Sequence, residues 1–338
     1  MRTKIIVISL LAFALMITAC ADKNLRQGKI MLQQDPPNYE GAIEQFEKSI
    51  ETKPTAEAYL LLGETHARLE QYSEMNEALI RALELDPESK VQIDDLRNQE
   101  SNKVWNRAGK DLNAENYSEA LDKYETCIMI QPSNVAAYSN AAFCAKQLGM
   151  DDKAYEYYKT AYEMDPDDFD NVRNFAATCF SQEKYEEALE VYRVAFEKRP
   201  DNANIPIRMG QIYERMEDYE KAIEVYDKAL EIDPNNGNLW FNMGVMYIQR
   251  LQDYENANEA FKKAMEINPE DYDAAFNRGL ALLNMKEYEE ALGVVEKLIE
   301  LNPDNCDSYD MLVSVHAGLG NNDAVNAAIK KGKDCRGE

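Results

Sequence analysis

Prolines recur along the chain at a nearly constant spacing, and this recurrence restricts the possible fold more than any other feature of the sequence. The set comprises Pro54, Pro87, Pro132, Pro166, Pro200, Pro234, Pro269 and Pro303. The successive intervals are 33, 45, 34, 34, 34, 35 and 34 residues. A period of 34 residues indicates an array of helical hairpins in which each repeat contacts mainly its neighbours. We therefore expect one all-α solenoid rather than several separate globular cores.

The residues around these prolines predict where helices end. Most of the prolines follow Asp or Asn, as in Leu85-Asp86-Pro87 and Leu301-Asn302-Pro303. Proline cannot continue a preceding helix, and Asp or Asn beside it is typical of a turn. Each phrase is therefore predicted to end the second helix of a repeat. The nine expected repeats begin near Asp22, Ala56, Ser101, Val135, Phe169, Ala203, Gly237, Tyr272 and Cys306.

Each period also contains small residues at three places. Small side chains allow two antiparallel helices to approach closely, while aromatic side chains fill the space around the crossing. In one repeat they are Gly210, Ala222 and Ala229, and in the next Gly244, Ala257 and Ala264. This pattern resembles the tetratricopeptide repeat over almost all of the chain after residue 20. The resemblance implies a right-handed superhelix of antiparallel helix pairs that binds other proteins.

Two departures from the period have local interpretations. The first repeat carries about two extra residues around Asp35-Pro36-Pro37-Asn38, which are expected to lengthen its turn. The 45-residue interval contains 11 extra residues, close to three helical turns. Val91, Ile93 and Leu96 give this insertion an amphipathic pattern. It predicts one extended helix near residues 89–112; an irregular loop is the alternative.

The N-terminus has the pattern of a signal peptide, assigned to residues 1–19. Arg2 and Lys4 precede an apolar run from Ile5 to Ile17, which is too short to span a bilayer as a helix. The run closes in Ile17-Thr18-Ala19-Cys20, which resembles the lipobox of bacterial lipoproteins. The resemblance implies cleavage before Cys20 and lipid attachment to its sulfur, leaving residues 20–338 as one solenoid. An ordinary secretory signal with an accidental Cys is the alternative.

The predicted localisation is the cell envelope. Ala21, rather than Asp, directly follows Cys20. By resemblance to enterobacterial lipoproteins, this favours the outer membrane, with the protein facing the periplasm.

An exported chain permits disulfides, and two cysteines flank the last repeat. Cys306 opens its first helix and Cys335 follows its second, so a bond between them would close a C-terminal cap near residues 306–335. The alternative is a frayed terminus with two free thiols. Cys127, Cys144 and Cys179 occupy helix-interface places and are expected to be buried.

Composition argues against several classes of function. The formal net charge of −25 gives an average field that repels a phosphate backbone, so nucleic acid is not an expected partner. The chain has 2 His and 14 Gly, little material for metal clusters, histidine bases or phosphate loops. His66 and His316 share one place in the repeat and are expected to pack. We therefore predict no enzyme, no cofactor and no metal.

One polar place in the repeat predicts a binding surface. The sixth residue of successive repeats is Asn106, Asn140, Asn174, Arg208, Asn242 and Asn277. In tetratricopeptide arrays this place faces the concave groove, and an Asn there offers a donor and an acceptor to the backbone of an extended peptide. The pattern resembles the asparagine ladder of peptide-binding members of the family. The alternative is that Asn merely suits the packing of the helix.

Aromatic and basic residues lie near these asparagines in the sequence. The predicted groove aromatics are Trp105, Phe143, Phe180, Phe241 and Phe276. Arg173 and Arg208 could hold a carboxylate, although the lysines and second asparagine of the family's chaperone-binding clamp are absent, so that clamp is not predicted.

Taken together, these features predict a lipid-anchored scaffold that binds protein segments in a concave groove. The alternative is an accessory of glycan or polysaccharide export whose aromatics stack on sugars.

Overall fold

A computed structural model describes residues 23–338, so the predicted signal peptide and Cys20 lie outside the described residues. Within residues 23–338 the chain forms 18 α-helices and no β-strand. The helices are α1 (23–32), α2 (Tyr39–Thr52), α3 (Ala56–Arg68), α4 (Tyr72–Leu85), α5 (Lys90–Asn113), α6 (Tyr117–Ile130), α7 (Val135–Gln147), α8 (Asp151–Met164), α9 (Phe169–Ser181), α10 (Tyr185–Lys198), α11 (Asn204–Arg215), α12 (Tyr219–Ile232), α13 (Gly237–Met246), α14 (Tyr254–Ile267), α15 (Tyr272–Met285), α16 (Tyr288–Leu301), α17 (Cys306–Gly318) and α18 (Asn322–Arg336). A 3₁₀ turn at Pro87–Ser89 precedes α5, and a π-helical turn at Tyr247–Leu251 follows α13.

The chain divides into two compact bodies, and the division falls inside α9. The N-terminal body runs to Thr178 and the C-terminal body starts at Cys179. Within the first, α3 packs on α4, α5 on α6 and α7 on α8; within the second, α11 packs on α12, α13 on α14, α15 on α16 and α17 on α18. The second helix of a repeat also contacts the first helix of the next, as α6 contacts α7 and α14 contacts α15. This arrangement confirms seven of the nine predicted helix pairs.

The proline phrases end helices as predicted. The last helical residues are Leu85, Met164, Ile232, Ile267 and Leu301, each directly before an Asp-Pro or Asn-Pro pair. The Asp86 N–H still bonds to Ala82 O at 2.9 Å, but the following proline has no N–H with which to continue the ladder. Termination therefore follows from the backbone chemistry of proline.

A left-handed residue makes the turn between the two helices of most repeats. It is Glu70, Glu115, Gly149, Glu183, Glu217, Gln252, Lys286 or Gly320. The next N–H then reaches back into the helix, as the Asp218 N–H does to Tyr213 O at 2.9 Å. A single residue thus reverses the chain and satisfies a carbonyl that the helix end leaves free.

The 11-residue insertion is helical, since α5 runs over 24 residues from Lys90 to Asn113. Ile93 is fully buried and Leu96 packs beside it at the edge of the same core cluster. Val91 differs from the expected pattern, because its side chain is 72% exposed. It precedes Ile93 by two residues, about 200° around the helix, and therefore points away from that core.

Small residues and cysteines lie where the sequence places them, at helix interfaces. Ala222, Ala229, Ala257 and Ala264 are buried, as are Cys127, Cys144 and Cys179. Burial raises the pKa of the Cys127 and Cys144 thiols to about 11, which keeps them protonated at neutral pH. A disulfide joins Cys306 to Cys335 across the α17–α18 pair, with a Cα–Cα distance of 5.7 Å.

The two histidines lie in or beside the core. His66 is buried, and its Nδ1 lies 2.7 Å from Gln71 Oε1. The Nδ1 atom of His316 is buried and has no hydrogen-bond partner within residues 23–338. No helix among residues 23–338 combines the length and the apolar character that crossing a membrane requires.

Candidate binding surface

In the N-terminal body, the first helices of successive repeats present the predicted asparagines to solvent. Asn106 on α5 is exposed, while Asn140 on α7 and Asn174 on α9 are half-buried. No residue within 23–338 forms a hydrogen bond with the side-chain amides of these three asparagines. Their donors and acceptors are therefore available to a ligand.

Asn171, three residues before Asn174 on the same helix, shows the opposite arrangement. It is only 4% exposed, accepts a 3.0 Å hydrogen bond from Ser139 Oγ and donates one of 3.3 Å to Asp165 O. That amide joins structural elements and is satisfied within the protein. The contrast separates a packing asparagine from those at the sixth place.

The C-terminal body presents the remaining members of the series in three different states. Asn242 on α13 is exposed, and no other described residue holds its amide. Asn277 on α15 donates its Nδ2 to Asp273 O at 2.8 Å, so one of its donors is already used within its own helix. Arg208 on α11 is exposed and donates to Gln211 Oε1 at 2.9 Å.

Arg173 differs from Arg208 in its electrostatic surroundings. The Arg173 guanidinium forms a 2.9 Å ion pair with Asp170, one turn earlier on α9. Arg208 bonds to a neutral amide and has no carboxylate partner among the described residues. Of these two cations, Arg208 therefore offers the less compensated charge.

The five predicted groove aromatics all make packing contacts. Trp105 lies edge-on to Tyr124 at 5.2 Å between ring centroids, and Phe241 lies edge-on to the buried Phe261 at 5.6 Å. Phe180 contacts Tyr185, and Phe276 stacks on Tyr272. Phe143 contacts Tyr117 and is the most open of the five, at 39% exposure. These rings contribute to helix packing, and their role towards a ligand stays a prediction.

A cavity of about 470 Å³ in the C-terminal body brings one predicted residue together with several that the sequence analysis missed. We call it the α11–α13 cavity. It is lined by Gln211, Glu214 and Arg215 of α11, Tyr219 and Tyr226 of α12, Asn242, Val245 and Met246 of α13, and Gln249 and Arg250 of the π turn. The sequence signal for this cavity is the 35-residue interval between Pro234 and Pro269. The one residue beyond the 34-residue period is accommodated in this repeat by a π turn.

A larger cavity of about 800 Å³ lies in the N-terminal body beside the extension of α5. The extension is tied to α3 by a 3.0 Å hydrogen bond from Gln92 Nε2 to Glu64 Oε1. Its charged lining is mostly acidic and comprises Glu64, Glu88, Asp95, Glu100 and Arg68. The extension therefore adds a wall to this surface, which the sequence pattern alone did not predict.

Within residues 23–338, no group of three or more His, Cys, Asp or Glu side chains is placed to hold a metal ion. The site is thus an array of amides, guanidinium groups and carboxylates on helix surfaces, a set suited to hydrogen bonding and ion pairing with a partner.

Solved structures resemble the chain. The C-terminal part of a TPR repeat-containing protein from Cytophaga hutchinsonii is 17% identical, and the match covers 68% of this chain and 95% of that one with a TM-score of 0.53, which shows a shared fold. A tetratricopeptide repeat protein from Parabacteroides merdae is 15% identical, covering 70% and 93% with a TM-score of 0.47. YrrB, described as a TPR protein with an unusual peptide-binding site, is 26% identical, covering 54% and 94% with a TM-score of 0.45.

Family models identify the repeats directly, whereas no curated protein matches the chain. Models described as tetratricopeptide repeat match residues 56–89 and 135–168 in the N-terminal body and residues 207–236, 225–257 and 249–315 in the C-terminal body. A model described as TPR repeat matches residues 177–217. The chain therefore consists, in these segments, of tetratricopeptide repeats.

Proposed function

We propose that this protein is a lipid-anchored scaffold of the bacterial cell envelope, which binds extended segments of other proteins on the first helices of its repeats. The observation that carries the proposal is the set of unbonded amides at one repeat place. A free donor and a free acceptor remain on four side chains for which residues 23–338 provide no hydrogen-bond partner, namely Asn106, Asn140, Asn174 and Asn242. Free amides in a helical array match the alternating N–H and C=O groups of a peptide backbone.

The anchoring part of the proposal rests on the sequence of the N-terminus. The basic start, the short apolar run and the Ala19-Cys20 junction together favour export and lipid attachment at Cys20. Two or more acyl chains on the N-terminal cysteine would give stable attachment, because each buried CH₂ contributes about 0.8 kcal/mol. We place the protein at the outer membrane, facing the periplasm.

Each body carries its own members of the proposed set of binding residues. The N-terminal body contributes three of the free amides, and the C-terminal body contributes Asn242 and Arg208. The packing contacts of the five groove aromatics give no specific support to a glycan ligand, so we do not propose the glycan alternative.

Crosslinking in living cells tests this function. A photo-reactive amino acid is placed at Asn140 or Asn242, and crosslinked proteins are identified by mass spectrometry. We expect a partner to be captured from each position, and none from a control at Lys159 on the second helix α8, which is half-buried like Asn140. Equal capture from Lys159 would contradict binding on the first helices. Failure to capture any protein from either position would contradict the scaffold function itself.

A further inference from the structure

The α11–α13 cavity brings together two arginines that have no carboxylate partner among the described residues, in a chain of net charge −25. Several other cations of the C-terminal body are paired: Arg193 with Glu190, Lys221 with Asp218, Lys228 with Glu224, Lys263 with Glu266 and Arg278 with Glu290. Outside the cavity, ion pairs with other described residues are also lacking at Arg208, Lys286, Lys330, Lys331 and Lys333. Arg215 and Arg250 are exposed and form no ion pair with another described residue. Their positive charge is therefore available to a ligand from outside the chain.

The repeat itself explains why these two arginines lie together. Arg215 stands two residues before the left-handed Glu217, and Arg250 stands two residues before the left-handed Gln252. They occupy the same place, counted from the turn, in successive repeats, and both line one cavity. The π turn at Tyr247–Leu251 accommodates the extra residue of the second repeat. Arg250 therefore has the same position relative to its turn as Arg215 has.

Contacts within the cavity orient the charged groups. The Arg250 guanidinium lies 5.5 Å from the centroid of the Tyr219 ring, where the π face attracts a cation. Glu214, the carboxylate in the lining, accepts a hydrogen bond from the hydroxyl of Tyr226, which directs it towards the α11–α12 contact. Gln211 and Asn242 add neutral donors to the same lining.

The charge balance and geometry indicate what this cavity binds. Two guanidinium groups against one carboxylate leave a local charge of +1, which matches one carboxylate better than a phosphate dianion. Guanidinium groups are planar and bind carboxylates through two parallel hydrogen bonds. Arg208 lies two turns before Arg215 on α11 and so extends the basic surface along the same helix face.

We propose that the α11–α13 cavity binds an Asp or Glu carboxylate of an acidic segment in the partner protein, with Arg215 and Arg250 as its ion-pairing donors. This inference rests on the proposed function, since it assigns a chemical preference to one part of the scaffold surface. The protein as a whole is negatively charged, so its attraction for an acidic segment depends on the local positive charge of this cavity. That charge determines where the segment docks.

The test is a selection of random peptides displayed on phage against the full chain purified in detergent. One enriched peptide is then synthesised together with an analogue in which every Asp and Glu is replaced by Asn or Gln. The affinity of both peptides is measured for the wild type, for Arg215→Gln with Arg250→Gln, and for Arg193→Gln. Arg193 is a matched control, because it is exposed in the same body but lies on α10 outside the cavity.

We expect acidic residues in the enriched peptides and a loss of about tenfold or more in affinity for the double variant. The amide analogue should bind wild type and double variant equally weakly, and Arg193→Gln should bind the acidic peptide like the wild type. Enriched peptides without carboxylates, or undiminished binding by the folded double variant, would overturn the inference while leaving the scaffold function intact. A selection that enriches no peptide would overturn both.

Discussion

Gly210 on α11 lies so close to Tyr226 on α12 that a Cβ in place of its hydrogen would be 2.2 Å from Tyr226 Cε1. Tyr226 is buried, and its ring fills the space that the glycine leaves. The next repeat has the same relationship, with a Cβ at Gly244 placed 2.7 Å from Phe261 Cε1. Glycine is required here by the close approach of a ring, rather than by the backbone conformation.

Replacing Gly210 by Ala should therefore destabilise the C-terminal body by about 1–3 kcal/mol, because the added methyl overpacks the helix crossing. Gly293→Ala in α16 is the matched control, since no atom lies within 4 Å of a Cβ built there. The control should be neutral or stabilising by roughly 0.5–1 kcal/mol, because Ala favours a helix more than Gly does. Urea unfolding followed by circular dichroism measures both, and equal midpoints would contradict the packing account.

Replacing Asn106, Asn140, Asn174 and Asn242 together by Ala should weaken a captured partner. Each hydrogen bond lost should cost about 0.5–1.5 kcal/mol, so the four together amount to roughly one to several powers of ten in affinity. The fold should persist, because these amides hold no other described residue and Ala favours helix. Asn284→Ala is the control, as its side chain bonds to Leu280 O in its own helix. Isothermal titration calorimetry measures the affinity of the variant for the partner. An unchanged affinity would show that the partner binds elsewhere.

Replacing Cys20 by Ser should release the protein from membranes or leave it as an unprocessed precursor, because the proposed lipid is attached to that sulfur. Metabolic labelling with a palmitate analogue, followed by fractionation, provides the measurement. Cys335→Ser serves as a control that removes a cysteine without touching the anchor. Equal labelling of the wild type and Cys20→Ser would contradict the lipoprotein assignment.

Stability should fall at alkaline pH. Burial raises the pKa of the Cys127 and Cys144 thiols from 9.0 to about 11, and of the Tyr124 hydroxyl from 10.0 to about 12. The unfolded chain releases these protons at the ordinary values, so the free energy of unfolding decreases as pH rises through the interval from about 9 to 12. Thermal midpoints measured across this interval should fall. The fall should be shallower in Cys127→Ala with Cys144→Ala, and a midpoint independent of pH would contradict the burial of these groups.

Most of the fold could be predicted because it depends on local, periodic chemistry. Asp-Pro and Asn-Pro pairs end helices wherever they occur, so Leu85 and Leu301 were identifiable as last helical residues without knowledge of their neighbours. Val91 shows the limit of such patterns. Its apolar character suggested packing, but its angle around α5 relative to Ile93 leaves it exposed.

The candidate site was less predictable, because it depends on which hydrogen bonds the side chains form. The repeat place identified Asn242 and Asn277 equally, yet Asn277 is bonded within α15, whereas the Asn242 amide bonds to no other described residue. Likewise, Arg173 and Arg208 look alike in the sequence and differ in whether a carboxylate lies one turn away. Arg215 and Arg250 were missed because they share a place only when the repeat is counted from its turn.

The bond between Cys306 and Cys335, which are 29 residues apart, turns the last helix pair into a covalent ring. Among the described residues, this pair has a neighbouring helix pair on one side only, and helices in such a position are the first expected to fray. In this protein, a protease that cuts once inside the ring would leave the chain in one piece. The two fragments would separate only after a reductant opened the disulfide, so this helix pair can be cleaved once and still remain attached to the protein.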